Sequence, residues 1–144
     1  AIRRGLLEVE LPGRFQVLPG RPMVILDVAH NPQAARVLAE SLRAMQKTGR
    51  TLAVFAMLSD KDIDGVVAEV RAEVDEWFVA GLPGPRGADA PRIARALAGG
   101  GAPVTQFDTP AVAYQQAIRN AGQNDRILVF GSFLTVAAVL QLRG

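Results

Sequence analysis

The feature that most constrains this chain is a strict alternation of short apolar runs with stretches of helical spacing. "MVILDV" (Met23–Val28) and "TLAVFAM" (Thr51–Met57) are near-continuous apolar runs of the kind that form strands buried on both faces. Behind the first, Ala34, Ala35, Leu38, Leu42 and Met45 recur with a helical period across 32–47. Behind the second, Ile63, Val66, Val67, Val70 and Val74 line one face of a helix expected from about Asp62 to Asp75. "EWFVAG", "APVTQF" and "RILVF" continue the strand series. Between them lie a short helix over Ala90–Ala98, stopped by three glycines, and a helix from Thr109-Pro110 to Ala121. Leu134–Leu142 is a closing helix. Strands alternating with helices at this spacing imply a parallel sheet covered on both sides. The expected fold is a Rossmann-like three-layer α/β/α domain with a mostly parallel sheet.

Ahead of this pattern, "LLEVEL" and "FQVL" read as two short strands joined by "PGR", an appended N-terminal β-hairpin over 1–19 that ends in the breaker Pro19-Gly20. At 144 residues the whole chain, 1–144, reads as one domain with a real core. It starts at Ala1, and its first residues resemble the interior of a longer protein, so an excised piece is expected.

Composition narrows the function classes. Fourteen arginines and two lysines against fourteen acids leave a net charge of only +2, and the arginines are scattered rather than gathered in a stripe. That distribution argues against a nucleic-acid surface. No apolar run approaches the ~20 residues of a membrane span, so no membrane partner is expected. Without cysteine, disulfides and cysteine-based metal or redox sites are excluded, and a cytoplasmic setting fits. With one histidine, a His-rich metal centre is excluded as well. Neither GxxxxGK[ST] nor GxGxxG nor G-x-S-x-G occurs, which removes a recognisable phosphate loop, a dinucleotide fingerprint and a nucleophile elbow.

In open parallel sheets, ligands bind beyond the carboxyl ends of the strands. That rule selects the junctions "LDVAHNP", "AMLSDKD", "GLPGPRGAD" and "FGSF". In the first, Asn31 and Pro32 suit a helix cap and first turn. Asp27 is a carboxylate at the end of a buried strand and needs hydrogen-bond partners, either nearby backbone amides or a ribose hydroxyl pair. His30, just before a helix N-terminus, faces a phosphate or simply packs. In "LSDKD", Ser59 or Asp60 is the expected cap and Lys61 a cation in the first turn, opposing the helix dipole. In "FGSF", Gly131 permits a tight turn and Ser132 can cap the last helix. Arg14 in "PGRF" reads from spacing alone as an exposed arginine.

Taken together and in order, "LPGRFQVLP", "VILDVAHNPQAA", "AMLSDKDI", "GPRGA" and "VFGSFLTVAAVL" closely resemble the C-terminal domain of the bifunctional dihydrofolate synthase/folylpolyglutamate synthases, in the Mur ligase superfamily. The resemblance runs from about Leu11 to Leu140. It implies an ATP- and Mg2+-dependent ligase joining L-glutamate to dihydropteroate or a folate. In that reaction an acceptor carboxylate forms an acyl phosphate that the glutamate amine attacks. It implies an N-terminal ATPase domain as partner, carrying the phosphate loop and the metal ligands, so that this chain holds no metal and is inactive alone. By the same resemblance Arg14 contacts ATP phosphate, Asp27 binds the nucleotide ribose, and His30 is the catalytic residue at the interdomain site. Lys61, Asp62, Arg86 and Ser132 line the substrate or interdomain surface. Another Mur-type amide ligase, or a stand-alone nucleotide-binding or partner-docking domain, are the alternative readings.

Overall fold

The structure is a computed structural model that describes residues 14–46 and 49–143. β1 (Gln16–Leu18) and β2 (Met23–Asp27) lead into α1 (Pro32–Ala44). Then follow β3 (Thr51–Phe55), α2 (Ile63–Val70), β4 (Glu76–Ala80), α3 (Ala90–Leu97), β5 (Val104–Phe107), α4 (Pro110–Asn120), β6 (Arg126–Phe130) and α5 (Phe133–Arg143). The sheet order is β1-β2-β6-β3-β4-β5, and every pairing is parallel except β1 with β2.

Side chains along each strand alternate between two cores, as period-2 geometry requires. Ile25, Phe55, Trp77 and Phe130 pack on one face with Leu38 and Leu42 of α1, Val66 and Val70 of α2, and Ile93 of α3. Leu26, Val54, Phe78 and Val129 pack on the other with Ala113 and Tyr114 of α4 and Val136 and Val139 of α5. The result is the three-layer architecture expected from the alternation.

A β-hairpin is present at the N-terminal side of the sheet, formed by β1 and β2. "FQVL" pairs antiparallel with "MVILD" across Pro19-Gly20, Gln16 opposite Leu26, whereas "LLEVEL" lies outside the described residues. The helix expected to reach Asp75 stops earlier: α2 ends at Val70 and a 3-10 turn covers Arg71–Glu73. Asp75 is drawn off to the start of β3, where its carboxylate accepts from the Thr51 amide at 2.8 Å and its own amide donates to the Thr51 carbonyl. α1 likewise closes at Ala44, where the buried Arg126 donates to the Leu42 carbonyl at 3.1 Å.

One topological fact locates a crevice. β2 and β3 feed α1 and α2 on one face, while β6, which lies between them, feeds α5 on the other. Connections leaving in opposite directions open the sheet edge at the carboxyl end of β6. The three strands end level there, with Asp27, Phe130 and Phe55 in register.

Candidate functional site

At the end of β2, Asp27 is buried, and each carboxylate oxygen accepts a backbone amide: Ala29 at 2.8 Å and Phe15 at 3.1 Å. Burial pushes this carboxyl above the usual range, while the two amides and the charge of Arg14 pull it partway back. Each oxygen keeps a further lone pair beyond its amide bond. Arg14 is exposed and, among the described residues, makes no hydrogen bond or ion pair. Next along the chain, exposed His30 holds its Nδ1 at 3.0 Å from the Val28 carbonyl. A carbonyl only accepts, so that bond puts the ring proton on Nδ1 and leaves Nε2 as the open, basic nitrogen. Asn31 then caps α1, accepting from the Ala34 amide at 2.8 Å, with Pro32 at the first helical position.

At the end of β6, Gly131 sits at φ +118°, and a Cβ there would collide with the Ala56 carbonyl. Only glycine lets the chain pass this close to β3. Ser132 is buried and accepts from the Thr135 amide at 3.1 Å, capping α5. The Thr135 hydroxyl contacts Ser132 Oγ at 3.0 Å and donates to the Ala56 carbonyl at 2.9 Å. A chain of buried hydrogen bonds thus ties the β6 turn to the end of β3.

The next two junctions form a second group. The cap of α2 is Asp62, accepting from the Gly65 amide at 2.9 Å, not Ser59 or Asp60. The reason lies in the neighbouring loop. Leu58 bridges Gly87, the Ser59 amide and hydroxyl both donate to the Arg86 carbonyl, and Arg86 Nη2 bonds Asp60 at 2.7 Å. Residues 58–60 are held against the β4–α3 loop, so the helix starts later and Lys61 stands ahead of it rather than in its first turn. Both Arg86 and Asp60 are solvent-facing. The two groups meet where α1 and α2 begin: a Cβ on Gly65 would lie 2.7 Å from Pro32 Cγ.

Among the described residues the carboxyl edge therefore presents one unpaired guanidinium, one open imidazole nitrogen, one buried carboxylate and a clasped Arg86. Positive and acceptor groups of this kind suit a phosphorylated or carboxylated ligand. Among the described residues no group of three or more His, Asp or Glu stands together as a metal site. Nor, among them, is any helix long and apolar enough to cross a membrane.

The sequence pattern described as "Mur ligase, glutamate ligase domain" matches residues 13–133. The chain belongs to that family. The dihydrofolate synthase/folylpolyglutamate synthase of Escherichia coli (strain K12) is 46% identical over 142 residues, spanning 99% of this chain and 33% of that protein. A crystal structure of a bifunctional folylpolyglutamate synthase/dihydrofolate synthase with Mn, AMPPNP and L-glutamate bound has a TM-score of 0.86 and 47% identity, over 92% of this chain and 32% of that one. E. coli FolC in complex with DHPP and ADP gives 0.87 and 46%, over 92% and 31%. This Mur ligase domain thus spans about a third of the length of that E. coli relative.

Within the Mur ligase domain, three residues escaped sequence reasoning in their present roles. Phe15 and Asp60 meet their partners only through tertiary structure. Thr135, three residues after Ser132, carried a cap signal that its place in an apolar helix obscured.

Two carboxyls here should titrate in opposite directions. The hydrogen bond from Arg86 holds Asp60 below the ordinary value, so its small, solvent-screened contribution is present above that value and lost as pH falls through the lowered one. Asp27 is raised, so its contribution is full below the ordinary value and lost as pH climbs through the raised one. Carboxyl 13C NMR should record both, and Arg86→Ala should return Asp60 alone to the ordinary range. An unmoved Asp60 would break the clasp assignment.

Proposed function

We propose that this chain, 1–144 as one domain, is the C-terminal half-site of a cytoplasmic ATP-dependent ligase that joins L-glutamate to dihydropteroate or folates through an acyl phosphate. The observation that carries the reading is the juxtaposition of Arg14, Asp27 and His30 at the carboxyl end of β2, the strand next to β6. Arg14, free of protein partners among the described residues, offers a forked donor to nucleotide phosphate. Asp27 keeps acceptor capacity for ribose hydroxyls beyond its two amides. His30 presents Nε2 toward solvent, where it can hold a proton or a hydrogen bond at the interdomain face. Lys61 and Arg86 supply cationic character along the same edge. Asp62 and Ser132 act through their caps, placing the two helix N-termini that line it.

ATP supplies the phosphoryl group, and most of the catalytic gain comes from positioning and charge neutralisation. The Mg2+ ligands and the phosphate loop belong, in this reading, to an N-terminal domain that is this chain's partner. Relatives solved with AMPPNP, Mn, L-glutamate, DHPP or ADP support the choice of ligands.

The test is made in the full-length enzyme carrying this chain, with dihydropteroate, glutamate and ATP. Arg14→Ala should raise the KM for ATP by about 10- to 100-fold, the loss of one or two charge-assisted hydrogen bonds. An unchanged KM would remove Arg14 from the nucleotide site, and absent glutamate ligation would remove the reaction.

A further inference from the structure

Phe15 is the only non-glycine residue among those described with a positive φ, at +43°. A bulky residue in this region stays there only where its surroundings over-determine it. Three constraints act on it. Its amide is held by Asp27 Oδ2 at 3.1 Å, its ring packs partly buried against the α1-side core, and Gln16 immediately after it is registered opposite Leu26. The ring and the register fix the residue from one side. Among the described residues the carboxylate is what fixes the peptide on the Arg14 side.

That peptide is the one joining Arg14 to Phe15, so the amide held by Asp27 sets the direction in which Arg14 leaves the fold. Arg14 has no hydrogen bond or ion pair among the described residues to hold its own side chain. Its charge nevertheless lies close enough to act on Asp27. A buried carboxylate normally costs stability unless its acceptors are filled. Here the fold fills them with one amide from its own loop and one from twelve residues upstream.

We propose that Asp27 is a positioning residue for Arg14: by holding the Phe15 amide it fixes the left-handed bend that aims the guanidinium across the ends of β2 and β6. This role is separate from any contact Asp27 makes with a nucleotide, and it rests on the reading of Arg14 as a phosphate ligand. An asparagine at position 27 offers one acceptor oxygen where two amides converge on two oxygens. Its amide group then opposes an N–H with an N–H, and the bend is released.

The experiment has two arms. Hydrogen exchange on this chain follows the Phe15 amide, and ATP kinetics in the full-length enzyme follow Arg14→Ala, Asp27→Asn, the double variant and Phe15→Pro. The proposal expects Phe15 protection to fall by about tenfold or more in Asp27→Asn, the loss of one part-buried hydrogen bond, while core-strand amides stay protected. It expects each single variant to raise the KM for ATP more than it lowers kcat. Because Asp27 acts through Arg14, the double variant should fall well short of the product of the two single effects. Phe15→Pro, which removes the amide and cannot take a positive φ while leaving the carboxylate intact, should raise the KM as well, and it serves if Asp27→Asn fails to fold. Unchanged Phe15 protection, fully multiplicative KM effects, or a silent Phe15→Pro would each overturn the proposal. Failure of the nucleotide reading looks different: Arg14→Ala then leaves the KM for ATP unchanged although Phe15 protection still falls in Asp27→Asn.

Discussion

Truncating Phe55 to alanine should destabilise the domain by about 3–5 kcal/mol, the range for a fully buried aromatic replaced by a methyl group. Phe55 has no solvent exposure and stands in the middle of the sheet. Its ring stacks on Phe130 with centroids 4.5 Å apart and is tilted against Trp77 at 5.5 Å, and Trp77 in turn meets Phe130 at 6.1 Å. Pairs in these offset and tilted geometries add about 0.5–1.5 kcal/mol beyond the area they bury. All three rings lie on strands with rigid neighbours, so the cavity has little room to collapse. Urea unfolding should show a lower midpoint at an unchanged slope. A loss below about 1 kcal/mol would mean that the cluster is not packed as described.

Gly131→Ala is the second large effect and bears directly on the site. The position needs φ +118°, and the added Cβ meets the Ala56 carbonyl, a backbone atom that cannot swing aside as a side chain can. Strain at such a conformation costs about 1–3 kcal/mol, and displacing the end of β3 adds to it, for a total of about 3 kcal/mol or more. Gly99→Ala is the control. Its φ is +81° but nothing lies within 4 Å of the added carbon, so it should cost only about 1 kcal/mol. Equal losses at the two positions would show that the close approach of β6 to β3 carries no weight. The damage at Gly131 also propagates to Thr135, which donates to the same Ala56 carbonyl, and through it to Ser132.

Much of the fold was legible because each element carries its own signal. "RILVF" is β6 residue for residue, and Thr109-Pro110 starts α4 as a cap followed by proline at the first turn. Errors arose where a tertiary partner decided the outcome. "FQVL" pairs with the strand that follows it, a pairing that its spacing from "LLEVEL" did not announce. α2 stops short because Asp75 is claimed by Thr51, a residue 24 positions earlier. Its cap moves to Asp62 because Arg86 and Gly87, from another βα unit, hold residues 58–60.

The site divides along the same line. Asp27 was conspicuous as a carboxylate ending an apolar strand, and both its open possibilities, amides and ribose, bear on the result: the amides are there, and the ribose remains part of the proposed function. Arg14 was featureless by spacing because what aims it is the bend at Phe15, fixed by a residue twelve positions on. Resemblance supplied Arg14, and the structure supplied the means by which the chain holds the peptide beside it.

The central claim, a nucleotide half-site at the open edge beside β6, is tested most directly by titrating this chain with ATP and following its amide resonances. The account predicts weak binding, in the region of 1 mM or about 4 kcal/mol, with shifts confined to Arg14–Phe15, Ala29–Asn31 and Gly131–Ser132. Micromolar affinity, or shifts gathered instead at the opposite sheet edge around Arg21 and Asp125, would contradict it.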